Sequence, residues 1–159
     1  MRKMIITAIL ASSALLMSAQ VKNGYQLPPE VIVSLIDAPQ TPSVLLSPDN
    51  LTMLMMYRPG LPTVADLSQP ELRLAGIRFD PSTNGPSRGQ GVNRITAMKT
   101  DGTDLGELRG LPAEVKIGGV TWSPDSRRFA FTNTTGSTIE LWVADAASMT
   151  AKKIDEGLN

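Results

Sequence analysis

A run of alternating apolar residues that closes on an aspartate occurs twice in this chain, 44 positions apart: Ile95 is matched by Ile139, and Asp101 by Asp145. A period of about 40 to 45 residues is that of one four-stranded propeller blade. No other feature constrains the fold as much, because such a unit buries its faces only against neighbours of the same kind.

A second signature repeats with it. Ser47-Pro48-Asp49-Asn50 and Ser123-Pro124-Asp125-Ser126 each separate two apolar runs. Proline presets φ for the second position of a type I turn, and Asp, Asn and Ser bond back to nearby backbone, so both stretches read as hairpin corners. Asp49 and Asp125 are then expected to tie their own turns; a catalytic or metal-binding role is the alternative. The corners lie 76 positions apart, and the segment 61–93 supplies the surplus over one period.

The expected fold is all-β: an incomplete β-propeller of about two four-stranded blades. Blade one is expected over about 43–112 with an insertion at 61–93, and blade two over about 115–155, so that 43–159 opens a propeller domain. Closed propellers have about 4 to 8 blades. The chain is therefore expected to be the amino-terminal piece of a longer one, whose remaining blades are partners of these two.

Within the insertion, Thr63 followed by Asp66 resembles a capping box, and Pro70 should end the helical turn it starts. In "ELRLAGIRF" (Glu71 to Phe79) the apolar alternation shifts by one across Ala75-Gly76, which predicts a bulge at Gly76. Asp80 to Asn93 reads as a long loop. A short helix is expected in Pro29–Asp37, with Pro29 at its first position.

The start of the chain has a different character. Arg2 and Lys3 precede an uncharged apolar run from Met4 to Met17, followed by small residues at Ser18 and Ala19. This predicts a signal peptide over 1–19, then a lead-in over 20–42, and a periplasmic or secreted protein. The apolar run is shorter than the roughly 20 residues of a membrane span, so no membrane anchor is expected. Lys plus Arg number 15 and Asp plus Glu 15; without Arg2 and Lys3 the balance is 13 against 15. That leaves no electrostatic footprint for nucleic acid or anionic lipid. The chain lacks cysteine, so stability must come from packing alone.

Gly85-Pro86-Ser87-Arg88-Gly89 spells the G-x-S-x-G of hydrolase nucleophile elbows. An elbow needs a strand before the serine, a helix after it and a histidine base; the flanks read as loop, and the chain contains no histidine. No catalytic residue, cofactor or metal site is therefore assigned, and the substrate-binding residues are left unknown. "DGTD" (Asp101 to Asp104) lacks the ligand spacing of a calcium loop and reads as a turn. Asn50 and Asn133 head glycosylation sequons and are expected in exposed turns. Met53, Met55 and Met56 read as core filler, Trp122 and Trp142 as packing between blades, and Glu71, Arg73 and Arg78 as a local ion pair.

Several stretches together resemble a known family: "GYQLPPEVIVSLIDAPQTPSVLLSPD" (Gly24 to Asp49), "YRPGLPTVADLSQPELRLAG" (Tyr57 to Gly76), "DPSTNGPSR" (Asp80 to Arg88) and "VTWSPDSRRFAFTNTTGSTIELWVAD" (Val120 to Asp145). They look like the start of secreted bacterial serine peptidases of the prolyl oligopeptidase family, in the glutamyl endopeptidase or dipeptidyl aminopeptidase branch. The resemblance implies a propeller that gates peptide substrates into a carboxy-terminal α/β-hydrolase domain carrying a Ser-Asp-His triad. That catalytic domain is absent from this sequence, so no triad residue carries over, and the fragment alone is expected to be inactive. The alternative is a non-enzymatic periplasmic propeller, similar to TolB-like proteins, that binds a protein partner. A third reading, a stand-alone protein of two blades, predicts cooperative unfolding of the isolated chain.

Overall fold

The computed structural model describes residues 27–158. The signal peptide expected over 1–19 lies outside them. The chain divides into two units, one ending at Asp37 and one beginning at Ala38. In the first, helix α1 spans Glu30–Ile36. Pro29 sits one position earlier than the sequence suggested. Its ψ of 145° is extended, and its carbonyl accepts the N–H groups of Ile32 and Val33, so it caps the helix rather than opening it.

The second unit is all-β apart from one five-residue helix. Strands β1 (Ser43–Leu46), β2 (Thr52–Tyr57), β5 (Arg94–Lys99) and β6 (Asp104–Glu107) form a four-stranded antiparallel sheet in the order β1-β2-β5-β6. Strands β7 (Ile117–Trp122), β8 (Arg128–Thr134), β9 (Ile139–Asp145) and β10 (Thr150–Glu156) form a second in simple meander order. Between β2 and β5 come helix α2 (Val64–Ser68) and a separate hairpin of β3 (Leu72–Leu74) and β4 (Ile77–Phe79).

Period-two alternation decides what each sheet buries. In β8 and β9 the inward set is Phe129, Phe131, Trp142 and Ala144, all buried, with Phe129 opposite Ala144 and Phe131 opposite Trp142. Leu54, Ile95 and Ala97 of the first sheet belong to the same apolar cluster, with Val92, Leu108, Ile117, Met149 and Ala151. Four rings run through it: Trp122 meets Phe129 edge-on at 5.4 Å, Phe129 lies 6.2 Å from Phe131, and Phe131 stacks on Trp142 at 6.3 Å. Each large side chain buried there contributes roughly 1.5–3 kcal/mol. The Trp122 indole N–H also reaches the Leu45 carbonyl in the first sheet, at 3.5 Å.

The same alternation corrects the reading of the methionines. Met56 packs against the cluster, but Met53 and Met55 project to the opposite face, where they pair with Leu46 and Val44. There Val44 is 59 % exposed and Leu46 44 %. The outer face of the first sheet is thus apolar and open.

The two Ser-Pro-Asp corners are closed by the same set of bonds. In each, the serine hydroxyl donates to the aspartate Oδ1 at 2.6 Å and accepts the N–H five residues on, from Thr52 at 2.9 Å and from Arg128 at 3.0 Å. The aspartate accepts the N–H two residues on, from Leu51 at 3.0 Å and Arg127 at 3.1 Å. Asn50 and Ser126 both have φ of 60°. The corners link β1 to β2 and β7 to β8, the first two strands of each sheet.

Candidate functional site

The segment between β2 and β5 leaves the sheets through a narrow neck. Tyr57 and Arg94 face each other across the strands, with the Arg94 guanidinium 3.9 Å from the centre of the Tyr57 ring, and Asn93 N–H donates to the Tyr57 carbonyl at 3.0 Å. On the emerging chain, α2 is held by the expected capping box. Thr63 Oγ1 accepts the Asp66 N–H at 3.1 Å, and Asp66 accepts the Thr63 N–H at 3.0 Å.

The expected bulge at Gly76 is instead a two-residue turn. Ala75 and Gly76 have φ of 51° and 86°, the positive pair that a tight hairpin needs, and Leu74 pairs with Ile77 and Leu72 with Phe79. The shift in alternation is what a two-residue turn produces: all four apolar residues stay on one face of the ribbon. Its other face carries Glu71, Arg73 and Arg78, and the two arginines lie directly opposite each other.

The loop after β4 folds back on the hairpin. Ser87 N–H donates to the Arg78 carbonyl at 3.2 Å, and Phe79 bridges to Pro86. This brings Ser87 and Arg88 to Glu71, an approach the sequence did not reveal. The Glu71 carboxylate, 8 % exposed, receives Arg73 Nη2 at 2.9 Å, Arg88 Nε at 3.0 Å and Arg78 Nη1 at 3.5 Å, while Ser87 Oγ donates to it at 3.3 Å. The hydrogen bond from Arg73 holds the Glu71 carboxyl below the usual glutamate range against the opposing effect of burial; the charges of Arg88, Arg78 and Arg73 add to it. What read as a local pair is one carboxylate gathering three guanidinium groups.

Ser87 thus stands in a loop with its hydroxyl turned to Glu71, and no helix follows it among the described residues. A nucleophile elbow needs a strand-to-helix turn. Beside Arg88 a cleft of about 80 Å³ is lined by Pro59, Pro62, Leu67, Gln90 and Val115, and Lys116 bonds Asp66 at 3.3 Å among the lining residues. Arg78 borders a shallower depression with Ile77, Phe79, Asn84 and Pro86.

A second polar cluster lies within the second sheet. Glu140 accepts Asn133 Nδ2 and Trp142 Nε1, each at 2.9 Å, and Lys153 Nζ at 3.3 Å. Asn133 Oδ1 accepts the Lys116 N–H at 2.9 Å. Asn133, expected in an exposed turn, is 2 % exposed within β8, because it pairs with Glu140 on the buried face. This cluster is saturated internally and ties β8, β9 and β10 together. Asp101 and Asp145 close the turns after β5 and β9, accepting N–H groups from Thr103 and Ser148. Among the described residues, no group of three or more His, Cys, Asp or Glu is arranged to hold a metal ion.

The sequence is 37 % identical over 143 residues, 82 % of this chain, to a protein of Oryza sativa subsp. japonica named "Probable glutamyl endopeptidase, chloroplastic". It is 36 % identical over 142 residues, 83 % of this chain, to the protein of the same name from Arabidopsis thaliana. No family model matches the chain, and no solved structure does. The chain spans 15 % of the length of each of these two relatives.

Proposed function

We propose that this chain is the opening part of a β-propeller in an exported serine peptidase of the prolyl oligopeptidase family, related to the glutamyl endopeptidases. In this reading the propeller admits peptides to a hydrolase domain encoded further along the same protein, and the 159-residue stretch alone has no peptidase activity. The observation that carries the reading is the similarity to two proteins named glutamyl endopeptidase, spread over more than four-fifths of this chain and only 15 % of theirs. The architecture agrees with it. Two four-stranded meanders with matching corners share one core, while Val44, Leu46, Met53 and Met55 form an apolar outer face of the kind that a neighbouring blade would cover. The first 19 residues would direct export.

The test is to express the whole reading frame that contains this chain and assay it on peptides with an internal glutamate, beside the 159-residue stretch. Hydrolysis by the whole protein, blocked by a fluorophosphonate and absent from the short stretch, is expected. A whole protein that neither cleaves peptides nor reacts with the fluorophosphonate overturns the proposal.

A further inference from the structure

We propose that Arg73, Arg78 and Arg88 form a binding site for a peptide carboxylate, with Glu71 as the residue that positions them; this rests on the peptidase reading above. The argument starts from an imbalance. One carboxylate faces three guanidinium groups, and among the described residues these arginines make ion pairs to no other acid. Arg73 and Arg78 sit directly opposite each other on the ribbon, a like-charge pair that destabilises a two-stranded hairpin. Glu71 contacts both and offsets part of that repulsion, but one carboxylate leaves the three arginines with a net positive charge.

Glu71 explains the geometry but not the excess. Its oxygens are occupied by Arg73, Arg78, Arg88 and Ser87, so it is saturated. Each guanidinium has five N–H donors in a planar fork, and the contacts to Glu71 use only part of each. The side chains remain 67 %, 51 % and 38 % exposed for Arg73, Arg78 and Arg88. Among the described residues the neighbouring acids make no ion pair to these arginines: Asp66 is engaged by Thr63 and Lys116, and Asp80 turns to Ser82. The spare donors border the two depressions beside Arg78 and Arg88. A second carboxylate is the complementary group, because the arginine fork matches its two oxygens. Ile77, 67 % exposed, lines the same depression as Arg78 and offers an apolar contact to a peptide there.

The experiment measures binding, which is independent of whether the protein hydrolyses anything. Fluorescent peptides, N-methylated after the test residue to resist cleavage, are titrated into the whole protein. One has an internal Glu and capped ends, its control has Gln there, and a third has Gln and a free C-terminal carboxylate. Preference for one carboxylate peptide over the capped Gln peptide by about 10-fold or more is expected. Arg78→Gln and Arg88→Gln should each collapse the preference, Arg78→Lys should weaken it, and Lys152→Gln, at an exposed residue away from the cluster, should leave it intact. The arm that binds identifies the carboxylate as side chain or chain end. Equal binding of all three peptides, or a preference that survives both arginine-to-glutamine variants in protein with unchanged circular dichroism, overturns the proposal. Failure of the peptidase reading would show instead as absent hydrolysis, whatever the binding result.

Discussion

The backbone N–H of Asp49 donates to the hydroxyl of Ser126 at 3.0 Å, joining the first Ser-Pro-Asp corner to the second across 77 positions of sequence. The two turns that look alike in sequence also hold each other. Ser126 does this from a φ of 60°, where an L-residue without a local hydrogen bond is strained. Ser126→Ala should therefore lose the acceptor while keeping a Cβ at positive φ, and Ser126→Gly should lose the acceptor but shed that strain. The lost bond is worth about 0.5–1.5 kcal/mol, and the alanine should cost about 1 kcal/mol more than the glycine. Urea unfolding midpoints give the order; an alanine variant as stable as the glycine variant contradicts it.

What the sequence made legible was local. The turn-closing bonds of each Ser-Pro-Asp corner and of the Thr63–Asp66 capping box join residues no more than five positions apart, so composition and spacing contain them, whereas the bond from Asp49 to Ser126 spans 77 positions and left no sign in the sequence. The Ala75-Gly76 turn was misread because alanine gives no sign of the positive φ that Asn or Asp would announce. Arg88 and Ser87 were not linked to Glu71, since the loop must first fold back 16 or more positions to bring them there. Asn133 looked like a surface residue until its cross-strand partner Glu140 was known.

Acid should destabilise the fold in a defined window. Six aspartates titrate below their ordinary range. Asp49, Asp66, Asp80, Asp101 and Asp125 are held down first by the hydroxyls of Ser47, Thr63, Ser82, Thr103 and Ser123, and Asp145 by the Ser148 N–H. With folded values depressed, the unfolded chain takes up protons first, so the stabilisation is complete above the ordinary aspartate value of about 3.9 and is lost as pH falls through the lower folded values. Lys153 works in the opposite sense. Glu156 first and Glu140 next raise it, so its contribution is present below the ordinary lysine value of about 10.4 and fades as pH rises beyond it. Urea midpoints measured from pH 2 to pH 11 should show a plateau with a clear acid limb and only a slight alkaline one, since Lys153 is 41 % exposed, and Asp125→Asn should flatten the acid limb. A midpoint that rises on acidification contradicts the assignment.

Glu140 should be far more sensitive than its partner Lys153. Glu140→Ala strips the acceptor from Asn133 Nδ2 and Trp142 Nε1, both on the buried face, at roughly 1–3 kcal/mol for each donor left bare. Glu140→Gln keeps one acceptor oxygen and should lose less. Lys153 is 41 % exposed and returns to water when released, so Lys153→Gln should leave the thermal midpoint nearly unchanged. Equal losses in the Glu140→Ala and Lys153→Gln proteins would show that the buried donors find other partners.

The seam between the outer strands of the two sheets depends on a close backbone approach. Arg109 N–H donates to the Met149 carbonyl and Ala151 N–H to the Arg109 carbonyl, both at 2.8 Å, and the next residue is Gly110 at φ 85°. A Cβ on Gly110 would stand 2.6 Å from the Ala151 carbonyl oxygen, which is backbone and cannot rotate away. Gly102 provides the control: its φ is 93°, with nothing within 4 Å of an added Cβ. Gly102→Ala should therefore show the conformational cost alone, about 1–2 kcal/mol. Gly110→Ala should add the displacement of the seam, with faster amide hydrogen exchange at Arg109 and Ala151. If both variants lose the same stability and exchange at those two amides is unchanged, the seam tolerates the extra carbon and the close approach at Gly110 is not what holds the outer strands together.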